Sequence, residues 1–503
     1  MDRNVNERPR LSRALFRSPG FANRSDPSLP GAALLDLPER VVVFGTGVFV
    51  RGFVADIIDQ ANRMHSFDGR IVLVGSTGSG REEGLKAQDC LYTLVIRGAT
   101  DGGAAERHRL IGSVSRALDA ATDWETVLEC ARDPNHQLVF SNTTEVGIRL
   151  DEGDGPDLAP PRSFPGKLTR FLYERGSSLG WRSDPPLLVV PCELVDDNGD
   201  RLREIVLLLA RRWYNDCAFT DWLETSVAFC NTLVDRIVAG VPRDADRAPI
   251  ERALGYRDDM LTVCEPHRFL AIEVPDGLRN AFGFARLNPG VLLTRDVTPY
   301  RDRKLLLLNG AHTILTPLAL LLGHDTVQAA LQDTALGRFL RQVLFDETVP
   351  GLNVPGALEF AQDVLVRFAN PAMHHALLDI TLQQTTKMRA RVVPSVVRTI
   401  ERTGQPPAAL ALGFAAYLFL LRDGAALRTD DAARPIHELW KSELRMDVPA
   451  FVHACLSDRT VWGLDLTHAG FADAVTVHLT RIASAGARSA LDAHLLESAE
   501  VAW

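Results

Sequence analysis

The sequence predicts two domains of different class, an α/β domain followed by a mostly helical one. The chain has 503 residues, more than one ordinary hydrophobic core accommodates. In the first half, short apolar runs alternate with helical segments, a pattern typical of a parallel sheet covered on both faces. From Lys304 onward nearly every segment has the apolar spacing of helices.

The α/β part is predicted from buried runs that end in turn residues or lead into helices. The predicted strands are 40–44, 70–74, 91–97, 109–114, 137–141, 187–191 and 269–274. Helices are predicted between them, at 124–131, 167–175 and 203–212. We therefore expect the α/β domain to occupy residues 38–295.

The helical domain is expected at 296–503. Its predicted helices include 329–347, 358–368, 375–386, 406–421 and 471–485, with a polar loop at 422–434. Residues 1–37 are rich in Arg, Ser, Pro and Gly, and we expect them to form a disordered tail.

The composition narrows the class of function. The net charge is −9, which argues against a nucleic-acid binder. Seven scattered cysteines form no Cys-x-x-Cys pair, as expected of free thiols in a reducing cytoplasm and not of a zinc module. No apolar run is expected to be long enough to span a membrane. The sequence favours a cytoplasmic protein that acts on small molecules.

A glycine-rich turn follows the first predicted strand and opens a helix. Gly45 would permit the tight turn, and Gly47 the close approach of a phosphate. Val50 stands where the third glycine of the dinucleotide fingerprint is usual, so the motif alone is weak. Its position between strand and helix favours a Rossmann-type dinucleotide-binding domain. The predicted cofactor-binding residues are Gly45, Thr46, Gly47, Val48, Phe49 and Arg51.

The end of the second predicted strand leaves the choice between NAD and NADP open. A carboxylate usually holds the adenosine ribose of NAD at this place, but here the strand ends in Gly75. Glu82 or Glu83 is a candidate for that role, whereas Arg81 would suit the 2′-phosphate of NADP. We expect NAD without excluding NADP.

Three polar residues interrupt an apolar helix in the second half. Lys304, Asn309 and His312 are separated by leucines and small residues. At 100° per residue of an α-helix, Asn309 and His312 share a face, one turn apart. A lysine kept near an apolar core can act as a general acid or base. The alternative is a capping lysine with a satisfied core asparagine and a buried histidine.

These segments resemble the polyol-specific long-chain dehydrogenases, the mannitol dehydrogenase family. The resemblance rests on the Lys-x4-Asn-x2-His spacing that begins at Lys304 and on the Val-Asp-Arg-Ile segment 234–237, and it extends from about residue 40 to 462. It is closest to the tagaturonate reductase branch. It implies a metal-independent oxidoreductase that interconverts D-tagaturonate and D-altronate in hexuronate (galacturonate) catabolism.

The resemblance also implies roles for individual residues. Lys304 would transfer the proton, Asn309 would donate a hydrogen bond to the substrate oxygen, and His312 would orient the substrate. Four further residues would bind substrate: Lys387, Asp235, Glu145 and Asn198. No metal is expected, since the adjacent His374 and His375 point apart on a helix. The protein is expected to be a monomer or a small homo-oligomer.

Two departures from mannitol-type members favour a sugar acid. Glu193-Leu194 stands where those members carry an asparagine, and Asp379 stands where they carry an arginine. Alternative activities are fructuronate reduction, polyol oxidation, or a silent NAD-binding protein. Asp235 and Arg236 can also be read as a buried ion pair, and Lys387 as a surface cation.

Overall fold

The computed structural model describes residues 8–18, 29–76, 80–100, 103–143, 147–182, 184–242, 244–370, 375–423 and 430–501. The chain divides into two compact units. The N-terminal unit ends at Val297, close to the predicted boundary at 295, and excludes Gly98–Ala104. The helical unit consists of that short stretch and of the chain from Thr298 onward.

Three sheets are described, and all their strand residues belong to the N-terminal unit except those of β3 and β4 that fall within Gly98–Ala104. The described strands are β1 (Glu39–Phe44), β2 (Arg70–Gly75), β3 (Tyr92–Thr100), β4 (Gly103–Ile111), β5 (Val114–Asp119), β6 (Leu138–Ser141), β7 (Leu187–Pro191), β8 (Val227–Phe229), β9 (Thr232–Asp235), β10 (Val238–Gly240), β11 (Thr262–Cys264), β12 (Phe269–Glu273) and β13 (Val291–Thr294). The main sheet has the order β5–β2–β1–β6–β7–β8, and its paired strands are parallel. The smaller sheets have the orders β10–β11–β3–β4 and β13–β12–β9.

The central strand β1 is buried on both faces. Val41 and Val43 pack into one hydrophobic cluster, whereas Val42 and Phe44 pack into another. Successive side chains of a strand point to opposite faces, so both faces of the sheet are covered. This burial explains the uninterrupted apolar run that predicted the strand. The predicted fold class, an α/β domain with a parallel sheet followed by a helical domain, is confirmed.

The strand order reverses beside β1, which is paired with β2 on one side and β6 on the other. In open parallel sheets, dinucleotides bind at the carboxyl ends of the strands, at such a reversal point. Gly45 follows β1 at this edge, and its N–H donates to Val74 O of β2 over 2.8 Å.

Helices surround the sheet and make up the second unit. In the N-terminal unit they are α1 (Arg13–Phe16), α2 (Val48–Gly52), α3 (Val54–Arg63), α4 (Arg81–Lys86), α5 (Trp124–Arg132), α6 (Phe164–Leu179), α7 (Asn198–Trp213), α8 (Cys217–Ser226) and α9 (Asp244–Leu254). In the helical unit they are α10 (Thr298–Arg303), α11 (Gly310–Leu321), α12 (Val327–Gln332), α13 (Thr334–Arg341), α14 (Ala357–Phe368), α15 (Leu377–Ile380), α16 (Gln384–Arg391), α17 (Val393–Thr403), α18 (Ala408–Leu420), α19 (Arg434–Lys441), α20 (Val448–Ser457), α21 (Arg459–Trp462) and α22 (Phe471–Val501).

The core of the helical unit is built around α18, which is apolar on every side. A helix of that composition belongs in a core, and α18 is buried from residue 409 to 418 and packs against α11 and α22. Gly486 (φ 88°) bends α22 into a hairpin. Its two arms meet, because the rings of His478 and His494 lie 5.5 Å apart although sixteen residues separate them in the chain.

One sequence-based expectation about membranes is wrong. Thr298–Leu321 forms one continuous helical run of 24 residues, and its most apolar 18-residue window has a mean hydropathy of 1.4, so the run is long and apolar enough to cross a membrane. The leucine cluster and the apolar helix after it, which look short when taken separately, fuse into this run. Within the helical unit 67% of its apolar window is buried, as is usual for a core helix.

The expectation of a disordered N-terminal tail is wrong for its described parts, 8–18 and 29–37. Leu11, Phe16 and Leu35 are buried in a cluster with Leu110 and Tyr256. Apolar residues dispersed among the arginines supply the contacts that a disordered segment lacks.

Candidate active site

The glycine-rich turn has the backbone that the sequence predicts. Gly45 has a φ of 141°, and a Cβ there would lie 2.6 Å from Asn142 O, so only glycine fits. A Cβ on Gly47 would meet no atom within 4 Å, so the backbone is open on that side to an approaching group. Val50, in place of the third glycine, is fully buried in the core beside the sheet. The two glycines present therefore fit a dinucleotide phosphate.

Arg51, predicted to bind cofactor, lies inside the N-terminal unit and supports this turn. Its side chain is 1% exposed, and Nη1 donates to Thr46 O over 2.9 Å while Nε donates to Thr262 Oγ1 over 3.2 Å. Burial lowers the pKa of the Arg51 guanidinium. Tyr92 in turn donates from its hydroxyl to Arg51 O over 2.8 Å. Arg51 thus stabilises the glycine-rich turn from the interior of the N-terminal unit.

The other predicted cofactor residues lie on the same turn. Val48 and Phe49 are half-buried, and the Phe49 ring stacks on Phe53 with centroids 4.8 Å apart. Thr46 is buried, and its hydroxyl donates to Glu82 Oε1 over 2.7 Å. Glu82 is therefore the member of the predicted pair, Glu82 or Glu83, that contacts the turn.

The segment Lys304–Asn309 is a π-helix and not the α-helix assumed from the sequence. We call it the π-segment; it follows α10 and continues into α11. Its i→i+5 bonding is seen where the Gly310 N–H donates to Leu305 O. An i→i+5 register brings Asn309 close above Lys304, whereas α-helical spacing would turn the two side chains well apart. Short π-segments often occur at functional sites.

The three predicted catalytic residues are more exposed than three of the four leucines between Lys304 and Asn309. Lys304, Asn309 and His312 are half-buried, whereas the leucines at 306–308 are buried in the helical core. The His312 ring stacks on Phe368 with centroids 3.9 Å apart and an interplanar angle of 19°. This stacking fixes the plane of the imidazole. The three side chains are thus partly exposed along the π-segment and the first turn of α11.

Contacts from α16 hold this stretch of helix in place. Gly310 allows α16 to approach closely, since a Cβ there would lie 2.8 Å from Arg391 O. Pro317 has no N–H, so Thr313 O of the preceding turn lacks its α-helical donor. The buried amide of Gln384 takes that place, with Nε2 donating to Thr313 O over 2.8 Å.

The helix α16 also carries Lys387, a predicted substrate residue. Lys387 is half-buried, and its Nζ donates to Ile380 O over 3.0 Å. Burial, assisted by the positive charge of Arg391, lowers the pKa of Lys387. The result is an ammonium held partly out of water on a helix that packs against α11.

Asp430 is a buried residue of this region that sequence reasoning missed. Its Oδ2 accepts hydrogen bonds from Thr385 N over 2.6 Å and from Thr385 Oγ1 over 2.8 Å. It thereby binds the first turn of α16. No local motif announces this contact, because 45 residues separate Asp430 from Thr385 in the chain.

In the N-terminal unit, Asp235 is 3% exposed and lies beside His267, with Asp235 Oδ2 and His267 Nε2 3.2 Å apart. The suggested ion pair between Asp235 and Arg236 is wrong. Arg236 instead donates to Asp56 Oδ2 over 2.7 Å. Arg236 follows the last residue of β9, and its Nη1 also donates to Gly52 O over 2.7 Å, so its side chain is engaged away from Asp235. Asp235 therefore contacts His267 and not Arg236.

Asn198 is 1% exposed, and its amide is used within the chain. Nδ2 donates to Pro191 O, Glu193 O and Thr232 Oγ1 over 3.0 to 3.2 Å, and Oδ1 accepts from Thr232 N over 2.9 Å. These contacts give Asn198 the role of joining β7 and β9. Glu145, the fourth predicted substrate residue, lies outside the described residues.

Glu193 stands where the family resemblance implies an asparagine. Its carboxylate accepts from Ser141 Oγ over 3.0 Å and from the N–H and hydroxyl of Thr143 over 2.9 and 3.0 Å. Burial raises its pKa. Glu193 therefore acts as an acceptor that fixes the end of β6. Within the described ranges, no group of three or more His, Cys, Asp or Glu could hold a metal ion.

Comparisons with known proteins agree with this two-part construction. Residues 39–280 match the family model described as the mannitol dehydrogenase Rossmann domain, and residues 296–483 match the mannitol dehydrogenase C-terminal domain. The altronate oxidoreductase of Bacillus subtilis (strain 168) is 38% identical over 466 residues, which cover 92% of this chain and 97% of that protein. The altronate oxidoreductase of Yersinia pestis is 39% identical over 469 residues, 91% of this chain and 97% of that protein.

Two solved structures share the fold. A D-sorbitol dehydrogenase in substrate-free form superposes with a TM-score of 0.79 and 25% identity, covering 96% of this chain and 100% of its own. The Pseudomonas fluorescens mannitol 2-dehydrogenase, solved as a ternary complex with NAD and D-mannitol, has a TM-score of 0.66 and 25% identity. That match covers 94% of this chain and 97% of the other.

Proposed function

Because this chain belongs to the mannitol dehydrogenase family of oxidoreductases, we propose that it interconverts D-tagaturonate and D-altronate with NAD as cofactor. The two altronate oxidoreductases, which align with more than nine tenths of the chain, support this substrate pair. The observation that carries the proposal is that Lys304, Asn309 and His312 are partly exposed on a helical run whose leucines at 306–308 are buried. We place the activity in cytoplasmic hexuronate (galacturonate) catabolism, in a monomer or small homo-oligomer without nucleic-acid or membrane partners.

The glycine-rich turn is the proposed cofactor site. The backbone at Gly45 and Gly47, together with Thr46, Val48 and Phe49, would hold the dinucleotide. Bound NADH supplies the hydride for reduction, and NAD accepts it in oxidation. Arg51 contributes by keeping Thr46 O, and with it the turn, in position.

Lys304 is the proposed general acid for reduction. Its ammonium gives a proton to the substrate's carbonyl oxygen as the carbonyl carbon receives the hydride. The N–H bond of Lys304 breaks, an O–H bond forms, and the carbon–oxygen double bond becomes single. The neutral amine then regains a proton from water. In the reverse direction the neutral amine takes the proton from the altronate hydroxyl.

The neighbouring side chains position the substrate oxygen and the carboxylate. The amide of Asn309, one wide turn from Lys304, donates to the oxygen as charge develops on it. His312, held flat against Phe368, orients the sugar. The Lys387 ammonium pairs with the sugar-acid carboxylate, an attraction that its partial burial strengthens. Asp235 accepts from a substrate hydroxyl.

Turnover of three substrates tests the proposal. D-Tagaturonate, D-fructuronate and D-fructose would each be reduced with NADH and with NADPH, and kcat/KM compared. We expect D-tagaturonate with NADH to give the highest value. A preference for D-fructuronate or D-fructose would contradict the proposed substrate while leaving the oxidoreductase assignment intact. Tight NADH binding without turnover of any sugar acid would contradict the catalytic proposal.

A further inference from the structure

A second cation follows Lys387 along α16. Arg391 comes four residues after Lys387, and side chains at this spacing lie on the same face of an α-helix, one turn apart. Arg391 is half-buried. After burial, the positive charge of Arg391 is the next cause of the lowered pKa of Lys387, as expected of two cations held close together. Lys387 and Arg391 therefore form a cationic pair on one side of α16.

The cationic pair lies beside the segment that carries the predicted catalytic residues. The backbone of Arg391 approaches Gly310 so closely that a Cβ at Gly310 would lie 2.8 Å from Arg391 O. Gly310 directly follows Asn309, the last residue of the π-segment. Arg391 is thus on the turn of α16 that contacts the start of α11, and both helices belong to the helical unit.

The guanidinium of Arg391 has no counter-ion within the part of the chain that the structure describes. No residue there accepts a hydrogen bond from its side chain or forms an ion pair with it. Burial lowers the pKa of Arg391, and no described carboxylate opposes that shift. Asp430 raises the pKa of Lys387, but its Oδ2 is already bonded to Thr385. An anion from outside the chain would offset the cost of holding this charge partly out of water.

The neighbouring arginines are placed differently. Arg389 is exposed and lies about 200° around the helix from Arg391. Its guanidinium lies against Gly463, where a Cβ would be 3.0 Å from Arg389 Nη2. Arg398 of α17 has a carboxylate partner, since its Nη2 is 3.3 Å from Asp302 Oδ2. Arg391 is therefore the one of these three arginines that is half-buried, unpaired and on the face of Lys387.

We propose that Arg391 and Lys387 together bind the carboxylate of the sugar acid, and that Arg391 thereby selects this substrate over the corresponding neutral ketose. The planar guanidinium can hold both carboxylate oxygens at once, while the ammonium supplies a further donor. A neutral sugar leaves both cations unpaired, which adds a penalty to the lost attraction. The inference rests on the proposed function, to which it adds the residue that distinguishes the acid from the neutral sugar.

Reduction of D-tagaturonate and of D-tagatose tests this role, because D-tagatose carries a CH2OH group in place of the carboxylate. Purified full-length protein would reduce each sugar with NADH. In Arg391→Gln the KM for D-tagaturonate should rise about tenfold to a hundredfold with kcat unchanged, whereas kcat/KM for D-tagatose should stay at the wild-type value. Arg389→Gln, the matched change on the exposed neighbour, should leave the values for both sugars unchanged.

Equal losses for both sugars in Arg391→Gln would mean that Arg391 acts only on the structure of α16, and they overturn the proposal. An unchanged KM for D-tagaturonate does the same. If Arg391→Gln does not fold, Arg391→Lys decides, because it keeps the charge but loses the planar fork. A KM about tenfold higher for D-tagaturonate alone then supports the proposal, and an unchanged KM overturns it. A wild-type protein that does not prefer D-tagaturonate to D-tagatose instead overturns the proposed function on which the inference rests.

Discussion

The two units of the chain differ in how far they bury the polar side chains that interrupt their apolar runs. In the N-terminal unit, Arg51 and Asn198 are buried and bond to backbone groups of their own unit. In the helical unit, Lys304, Asn309 and His312 stay half-exposed on the π-segment and the helix that follows it. The same sequence signal, a polar residue in an apolar run, therefore corresponds to an internal support in one unit and to a candidate reaction surface in the other.

Lys304→Ala is expected to have the largest effect. It tests whether the partly exposed polar residues of the helical unit are catalytic. The value of kcat for D-tagaturonate reduction should fall by about a hundredfold to ten-thousandfold, because general acid catalysis is lost. NADH affinity and the melting temperature should stay at wild-type values, since the residue is half-exposed. Steady-state kinetics, fluorescence titration and thermal melting measure the three quantities.

The matched control is Lys441→Ala, which removes an exposed lysine whose Nζ lies 2.9 Å from Glu438 Oε1. It should leave kcat unchanged. If Lys304→Ala retained kcat within about tenfold of the wild type, a different group would have to move the proton. The partly exposed residues would then be structural like the buried polar residues of the N-terminal unit.

Asp56→Asn tests the other half of the comparison. In the N-terminal unit, a buried polar group is expected to matter for stability. Asp56 is fully buried, and Arg236 and Arg268 donate to its Oδ2 over 2.7 and 2.9 Å, while Arg109 bonds to Oδ1. Burial alone would raise its pKa, but the three arginines, Arg236 first, hold that pKa well below the usual range. Loss of the charge leaves three clustered guanidiniums without their shared anion.

We expect Asp56→Asn to lower the free energy of unfolding by about 3–5 kcal/mol. Asp276→Asn is the control, because Asp276 pairs with Arg295 at the surface, where such a change costs about 0–1 kcal/mol. Chemical denaturation measures both. An Asp56→Asn protein as stable as the Asp276→Asn protein would show that the arginine cluster does not depend on its carboxylate.

Glu347 extends the comparison, because it is a buried carboxylate without an arginine. Its two oxygens accept from Ala409 N and Leu410 N over 2.7 and 2.8 Å at the start of α18. Burial raises the pKa of Glu347 from its ordinary 4.5 to about 7. The folded state therefore holds this proton more tightly than the unfolded state. The resulting stability is complete below about pH 4.5 and is lost as the pH rises to about 7.

Glu347→Gln should therefore become more stable relative to the wild type as the pH rises, by about 3 kcal/mol between pH 4.5 and 7. The difference between the two proteins is needed because burial lowers the pKa of His478 to about 4, which acts on total stability in the opposite direction. Denaturant unfolding across this pH range measures it, and the exposed Glu401→Gln is the control. A difference that does not change with pH would contradict the role given to Glu347.

More of the fold than of the candidate site could be predicted from the sequence. The run at 41–44 predicts its strand because both faces of a central parallel strand are apolar, so local sequence carries the whole signal. The π-segment carries no such signal, since its four leucines suit either register. Its i→i+5 bond occurs beside Gly310, whose contact with Arg391 O comes from a helix 81 residues further along the chain.

The same limit applies to polar pairing. The sequence offers Asp235 as the neighbour of Arg236, yet the anion that Arg236 contacts is Asp56, 180 residues away. The choice between Glu82 and Glu83 likewise depends on Gly75, which leaves room for only one of them. Residue types and spacing thus identify candidate groups, whereas their partners are set by long-range packing.

The smallest expected effect concerns the hydrogen bond between Thr313 of α11 and Gln384 of α16, the helix that also carries Lys387. Pro317→Ala restores an N–H that can bond to Thr313 O, in competition with Gln384 Nε2. Alanine favours the helix, so the melting temperature should rise or stay constant. The KM for D-tagaturonate should rise by about threefold while kcat is unchanged, because Lys387 loses a support and not its charge.

Gln384→Leu breaks the same contact from the other side and distinguishes positioning from stability. It leaves Thr313 O without a donor, so it should lower the free energy of unfolding by about 1–3 kcal/mol. It should raise KM to the same extent as Pro317→Ala. Equal changes in KM with opposite changes in stability mean that the contact acts through the position of Lys387. An unchanged KM in both variants would mean that α16 is held by its other contacts, such as the bonds of Thr385 to Asp430.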